Sequence, residues 1–255
     1  MDSLLVRLLG WPATLIHGDT LVLDRWLWLK RQLPKAGPGM NRLLDVGCGS
    51  GAFTIGLARH GYRALGLSWD ERNQKIAEER ARLCKTAHAA FEVQDVRQLD
   101  RRSDFRGQFD VIICCENIEH ILDDLKLMKD MAACLRPGGL LFLTTPSSDY
   151  RPITRSDLGP FSTIEDGGHV RKGYCANDLR DLCAQSNFEV QRIGYVSGFS
   201  SQKLTALMRV AARVHPVLGW LIVLPLRIFP PLFDPLASAL AHWPGFSITL
   251  VAVKT

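Results

Sequence analysis

With 255 residues, 47% of them hydrophobic and 22% charged, the chain is long enough to bury a sizeable core and too apolar to be disordered. Its 31 basic and 26 acidic side chains are scattered, without the block of Lys and Arg that marks a nucleic-acid arm, so nucleic acid is not expected as a partner. The seven cysteines are odd in number and never in C-x-x-C spacing, which excludes a disulfide framework or a cysteine zinc site and suits a cytoplasmic, reducing setting.

The N-terminus carries Asp2 before its first base, Arg7, and lacks a small-residue cleavage pattern, so it is a poor signal peptide. Leu4, Leu5, Leu8 and Leu9 share one helical face and Pro12 ends the turn, which predicts a short amphipathic lid or anchor. From the N-cap Asp19 to Leu33, helical spacing of Leu23, Trp26 and Leu27 predicts a helix, closed by Pro34 to Gly39. Strand-like and helix-like stretches then alternate: strand 42–46, helix 53–59, strand 62–67, helix 70–84, strand 90–94, strand 109–114, helix 123–135 and strand 139–145. Pro137-Gly138-Gly139 stops the last of these helices. A helix over 176–186, a strand over 188–196 and a β-rich run over 246–253 complete the pattern. Such alternation predicts an α/β fold: a Rossmann-like, seven-stranded, mostly parallel sheet with helices on both faces.

Two segments fall outside the alternation. Residues 146–175 show no periodicity, and a connection of that length is expected to be a functional loop over the active site. Residues 203–245 form an apolar, Pro-rich insertion, whose run from Val217 to Leu226 is shorter than the roughly 20 residues of a membrane-spanning helix. Its four bases, Lys203, Arg209, Arg213 and Arg227, against one acid, Asp234, suit an interfacial segment on anionic lipid. A roof over a lipophilic substrate, a homodimer contact or an internal core helix are the other readings. The expected organisation is an N-terminal lid over 1–39, a core over 40–202, the insertion over 203–245 and a final strand over 246–255.

The chemistry starts at Leu43-Leu44-Asp45-Val46-Gly47-Cys48-Gly49-Ser50-Gly51. A glycine turn after the first strand lets backbone approach a ligand, and the next helix offers unpaired N–H groups. Gly47-x-Gly49-x-x-Ala52 also fits a nicotinamide fingerprint, which leaves an NAD(P)-dependent oxidoreductase open. Asp45, two residues before the first glycine, favours a cationic cofactor with an ammonium and a sulfonium over a pyrophosphate.

The string LLDVGCGSG resembles motif I of the class I S-adenosylmethionine (AdoMet) methyltransferases, and the order of elements agrees from about residue 40 to the C-terminus. The resemblance implies that Asp45, Gly47, Cys48, Gly49 and Gly51 line the methionine end, and that the end of the second strand meets the ribose. Ser68 stands where that family has an acid; Asp70 either compensates or is only an N-cap, and Trp69 is placed to pack on adenine. Asp95, with Val96 beside it, is implied at the adenine amine, the alternative being a solvated turn. The segment Cys115-Glu116-Asn117-Ile118-Glu119-His120 is similar to the E-x-x-E-H string of ubiquinone-biosynthesis O-methyltransferases. There the resemblance implies that Cys115 touches AdoMet and that Glu116, Glu119 and His120 hold a divalent cation such as Mg, which would acidify a phenol oxygen. A His lining the substrate cavity, with acids that merely begin a helix, is the other reading.

His169, ending the long loop in Gly168-His169-Val170-Arg171-Lys172-Gly173-Tyr174, is a second candidate base beside His120, with Glu165 and Asp166 placed to hold its tautomer. Alternatively it caps the following helix. Together these readings predict transfer of a methyl group from AdoMet to a small, lipophilic molecule, by O-methylation in quinone, isoprenoid or secondary metabolism. C-methylation and a non-catalytic AdoMet-binding role remain open.

Overall fold

Seven apolar runs become strands: Arg42–Val46 (β1), Arg63–Ser68 (β2), Ala89–Val93 (β3), Phe109–Cys115 (β4), Leu135–Pro146 (β5), Phe188–Val196 (β6) and Ser247–Lys254 (β7). They are seen in a computed structural model that describes residues 2–16, 19–227 and 229–255; the side chains of 2–4, 155–156 and 216 are not described, so Leu4 of the expected leucine face lies outside it. The helices are Asp2–Leu9 (α1), Pro12–Ile16 (α2), Thr20–Gln32 (α3), Ala52–Arg59 (α4), Glu71–Leu83 (α5), Asp124–Cys134 (α6), Ala176–Ala184 (α7), Phe199–Ala212 (α8), Pro216–Val223 (α9) and Pro230–Ala241 (α10).

The strands form one sheet in the order β3-β2-β1-β4-β5-β7-β6. β1 pairs in parallel with β2 and β4, whereas β7 runs antiparallel to both β5 and β6. The chain travels outward from β1 to β3 and then returns to β4, so a crevice opens beyond the carboxyl ends of β1 and β4, the place where open α/β sheets bind ligands.

Alternation along each strand fills a core on both faces. Leu44, Val46 and Ile112 join the layer built with α6 and α7, while Leu43, Val111 and Ile113 join the layer that holds Trp26 and Leu29 of α3 and Leu57 of α4. Trp11 crosses Trp26 edge to face at 4.8 Å and donates from its indole N–H to the Ala52 carbonyl at 2.7 Å, which pins the N-terminal segment to the start of α4.

Three local expectations are corrected. Pro12 does not end a turn but opens α2, since a proline at the first helical position gives up an N–H that has no partner there anyway. The helix before β5 ends at Cys134, ahead of Pro137-Gly138-Gly139, because Leu135 already pairs with Phe109 of β4 and the Pro-Gly-Gly falls in a register shift of the strand. The apolar insertion is already helical from Phe199, and α8 to α10 leave many leucines exposed, which rules out an internal core helix.

Candidate active site

β1 delivers Asp45 and the glycine turn to the crevice. Gly47, Gly49 and Gly51 have φ of +85°, +51° and +80°, which L side chains rarely adopt. Two of them are also closely packed: a Cβ on Gly47 would lie 2.4 Å from the Asn117 side chain, and one on Gly51 would lie 2.7 Å from Ala77. Gly49 faces open space, with nothing within 4 Å of an added Cβ.

Two cavities flank this turn, and both are bordered by Gly47, Gly49 and Glu116. The first, about 330 Å³, has Arg25, Asp45, Cys48 and Cys115 in its wall. Asp45 is buried and accepts a 2.6 Å hydrogen bond from the Thr54 hydroxyl. Burial pushes its carboxyl up to about 7, the Thr54 bond acting in the opposite direction. Burial likewise pushes the Cys48, Cys114 and Cys115 thiols above their ordinary value, so none of them is a ready nucleophile.

Opposite Asp45, α3 places Arg25 in the same wall, with its Nη2 2.9 Å from Glu116 Oε2. Its Nε also donates to the Ser247 hydroxyl at 3.2 Å. Burial works against the guanidinium charge, but the carboxylates of Glu116, Asp19 and Glu119 outweigh it and hold the group above its ordinary value. Glu116 itself sits at φ +51°, in the left-handed region that non-glycine residues rarely adopt. Nothing local in the sequence marks Arg25, because its partner is 91 positions away. The signal available was an arginine inside the apolar spacing of a helix that leads into the core.

The second cavity, about 300 Å³, is bordered by Ser68, Trp69, Asp70, Asp95, Val96 and His120. Asp70 is an N-cap, accepting from Arg72 N at 2.8 Å, and its own N–H donates to the Ser68 hydroxyl at 3.2 Å. Trp69 is exposed at the rim. Asp95 faces the cavity, but both of its oxygens accept from Arg97, whose Nη1 reaches Glu165 of the long loop at 2.7 Å. The Arg97 bonds hold the Asp95 carboxyl below its ordinary value.

The expected trio Glu116, Glu119 and His120 does not converge, since Glu116 is committed to Arg25. Instead Glu119, His120 and His169 come together, their donor atoms within 4.8 Å of one another. Glu119 is fully buried and accepts from the Thr145 hydroxyl at 3.1 Å, while its Oε1 has no hydrogen-bond partner among the described residues. Burial, and after it the Glu116 charge, pushes its carboxyl well above the ordinary range. The two imidazoles meet edge to face at 4.7 Å.

The loop end that carries His169 is fastened to the segment after β4. Val170 N donates to the Glu119 carbonyl at 3.0 Å, His120 Nδ1 lies 3.0 Å from the Gly168 carbonyl, and Arg171 donates to the Ile121 and Leu122 carbonyls and pairs with Asp124. The contact to a carbonyl makes Nδ1 of His120 the protonated nitrogen and leaves Nε2 as the acceptor. His169 does not cap α7, whose N-cap is Cys175. Nor do the nearby acids hold its ring: Glu165 accepts from Leu122 N and Arg97, and Asp166 from Gly168 N. Burial, and after it His120, keeps the His169 imidazole below its ordinary pKa.

Residues 23–193 match the model of a methyltransferase domain. Among curated proteins the chain is similar to the ubiquinone biosynthesis O-methyltransferase of Marinobacter nauticus, 32% identical over 177 residues that cover 68% of this chain and 73% of the relative. The same-named enzyme of Coxiella burnetii is 28% identical over 148 residues, 57% of this chain, and the match spans only 60% of that relative's length. Among solved structures the fold resembles geranyl diphosphate C-methyltransferase of Streptomyces coelicolor, in complex with Mg2+, geranyl diphosphate and S-adenosyl-L-homocysteine. The TM-score is 0.59 at 17% identity, covering 91% of this chain and 77% of that one. These matches set aside the nicotinamide reading: the chain belongs to the AdoMet-dependent methyltransferases of Rossmann-like fold.

Proposed function

We propose that the protein transfers a methyl group from AdoMet to an oxygen of a small, lipophilic acceptor, with His169 as the proton acceptor. What supports the reading above all is the meeting of Glu119 and His169 with His120, which borders the cavity that the glycine turn opens. AdoMet lies across the turn. Its carboxylate is directed to Arg25 and its ammonium to Asp45 and Glu116, while its adenosine extends toward Ser68, Trp69, Asp70, Asp95 and Val96. Asp95, already engaged by Arg97, shapes that end and takes an adenine hydrogen bond only by sharing its oxygens. Direct displacement at the sulfonium methyl needs chiefly alignment of acceptor, carbon and sulfur. Residues 146–175 then exclude water, and the 203–245 insertion, expected as a substrate cover, a membrane contact or a dimer contact, serves as a peripheral membrane contact.

The donor set Glu119, His120 and His169 also fits a divalent cation, because one buried carboxylate oxygen lacks a partner and both rings offer nitrogen. Such an ion supplies Lewis acidity that lowers the pKa of an acceptor hydroxyl. Full activity after exhaustive chelation would remove the metal and leave the base.

A base held below its ordinary pKa stays neutral at pH 7. The rate is therefore expected to be level above about pH 7 and to fall only when the pH drops below the ordinary histidine range near ~6.5. His169→Ala is expected to lower kcat by about 100-fold or more, leave AdoMet affinity unchanged, and abolish that acid limb. A His169→Ala, His120→Ala double variant with undiminished turnover would remove the proton-transfer step while sparing the cofactor site.

A further inference from the structure

Helix α10 is amphipathic in the wrong sense for a protein surface in water. Pro230, Pro231, Asp234, Pro235 and Ser238 occupy one face and line a cavity of about 640 Å³ between α10, α3 and the β6–β7 edge. That inner face holds the helix's only acid. Asp234 is buried and accepts from the Ser200 and Ser201 N–H groups at the start of α8 at 2.6 and 3.3 Å, and the Ser238 hydroxyl accepts from Phe199 N at 2.8 Å. The opposite face, 100° per residue away, consists of Leu232, Phe233, Leu236 and Leu240, with Leu232, Leu236 and Leu240 exposed by 70%, 63% and 74%. Polar groups point inward and leucines outward, the arrangement expected where the surroundings are less polar than the interior cavity.

The neighbouring helices continue the same surface. Leu218, Leu221 and Ile222 of α9 are exposed, as are Leu207 and Val210 of α8 and Val214 just beyond it. Gly219 lets α9 lie close on α8, where a Cβ would come within 2.6 Å of the Met208 carbonyl. No single helix among the described residues is long and apolar enough to cross a bilayer; Val217–Leu226 and Pro230–Ala241 reach that length and hydropathy only as a pair bent by 83°. The exposed charges of the insertion are also of one sign, with Arg227 buried and Arg209 paired with Asp157. From Phe199 to Gly245 the sequence has four bases and a single acid, and that acid, Asp234, is buried, whereas Lys203 and Arg213 are exposed.

We infer that the outward faces of α8, α9 and α10 dock on an anionic phospholipid bilayer, lying in the interface with Leu232, Leu236 and Leu240 in the acyl boundary and Lys203 and Arg213 at the headgroups. The inference rests on the peripheral-contact reading of the insertion and is independent of which acceptor is methylated. A second copy of this chain would meet the same basic surface with like charge, which disfavours a symmetric dimer there.

The test is flotation of the full-length protein with vesicles of phosphatidylcholine and phosphatidylglycerol, and with phosphatidylcholine alone, at low and high salt. The expected result is flotation with the anionic vesicles that weakens with salt, and at least about a tenfold loss of bound fraction in L232E/L236E/L240E. These side chains are exposed, so AdoMet binding by calorimetry should be unchanged and certifies that the variant is folded. L232A/L236A/L240A should fall between the two. Wild-type protein that stays unbound with both vesicle types, or a glutamate variant that floats as well as wild type, overturns the inference. So does a dimer without flotation that the glutamates dissociate, since that assigns the face to a second copy. Failure of methyl transfer with flotation intact would instead count only against the acceptor chemistry.

Discussion

Arg25→Ala is expected to lower stability by about 3 kcal/mol and to weaken AdoMet binding by about 100-fold or more. The arginine is nearly buried and is the only cation within 4 Å of Glu116 among the described residues, so its removal leaves a carboxylate in a poorly solvated wall with no counter-charge. The loss of stability and the loss of binding have different origins and can be separated. Glu116→Gln placed on top of Arg25→Ala removes the stranded charge and should restore most of the melting temperature. It should not restore the cofactor, because the guanidinium directed to the AdoMet carboxylate is still missing. Thermal melts and calorimetric titration with AdoMet check both halves. If the double variant recovers affinity together with stability, Arg25 is a structural partner of Glu116 and not a cofactor residue.

Gly47→Ala comes second in expected effect. The φ of +85° alone costs an alanine about 1–2 kcal/mol, and its Cβ would collide with the side chain of Asn117, the residue next to Glu116. The expected result is loss of measurable AdoMet binding with a folded far-UV spectrum. Gly49→Ala is the informative partner: it carries a comparable backbone penalty but its Cβ enters open space, so any loss beyond the backbone term comes from the ligand. Equal affinities of Gly47→Ala and wild type would place the cofactor elsewhere.

Much of the scaffold is legible in the sequence because it is fixed locally. Short continuous apolar runs mark β1 and β4, Asp19 and Asp70 announce helix starts with side chains that do accept from the first turn, and the glycine spacing announces three left-handed residues in a row of five. The misreadings come where tertiary pairing overrides a local signal. Pro137-Gly138-Gly139 reads as a helix stop, yet strand pairing begins before it. The site divides the same way. The glycine turn and Glu119-His120 are readable from neighbours in sequence, whereas the joining of Glu119 and His120 with His169 depends on the loop's return, and Arg25 depends on a residue contributed after β4. Asp95 looked like a free acceptor because Arg97, two residues on, gives no sign in sequence that it folds back to bridge Asp95 and Glu165. The reversed polarity of α10 is invisible in a list of leucines and appears only when the cavity behind Asp234 is seen.

In the proposed function a methyl group passes from AdoMet at the glycine turn to a lipophilic oxygen. Incubation of the protein with methyl-labelled AdoMet and separate lipid and polar metabolite extracts tests this most directly. The predicted result is label in an organic-soluble product as a methyl ether, absent with Gly47→Ala and strongly reduced with His169→Ala. Label confined to polar metabolites, or tight AdoMet binding with no label transferred from either extract, would contradict it.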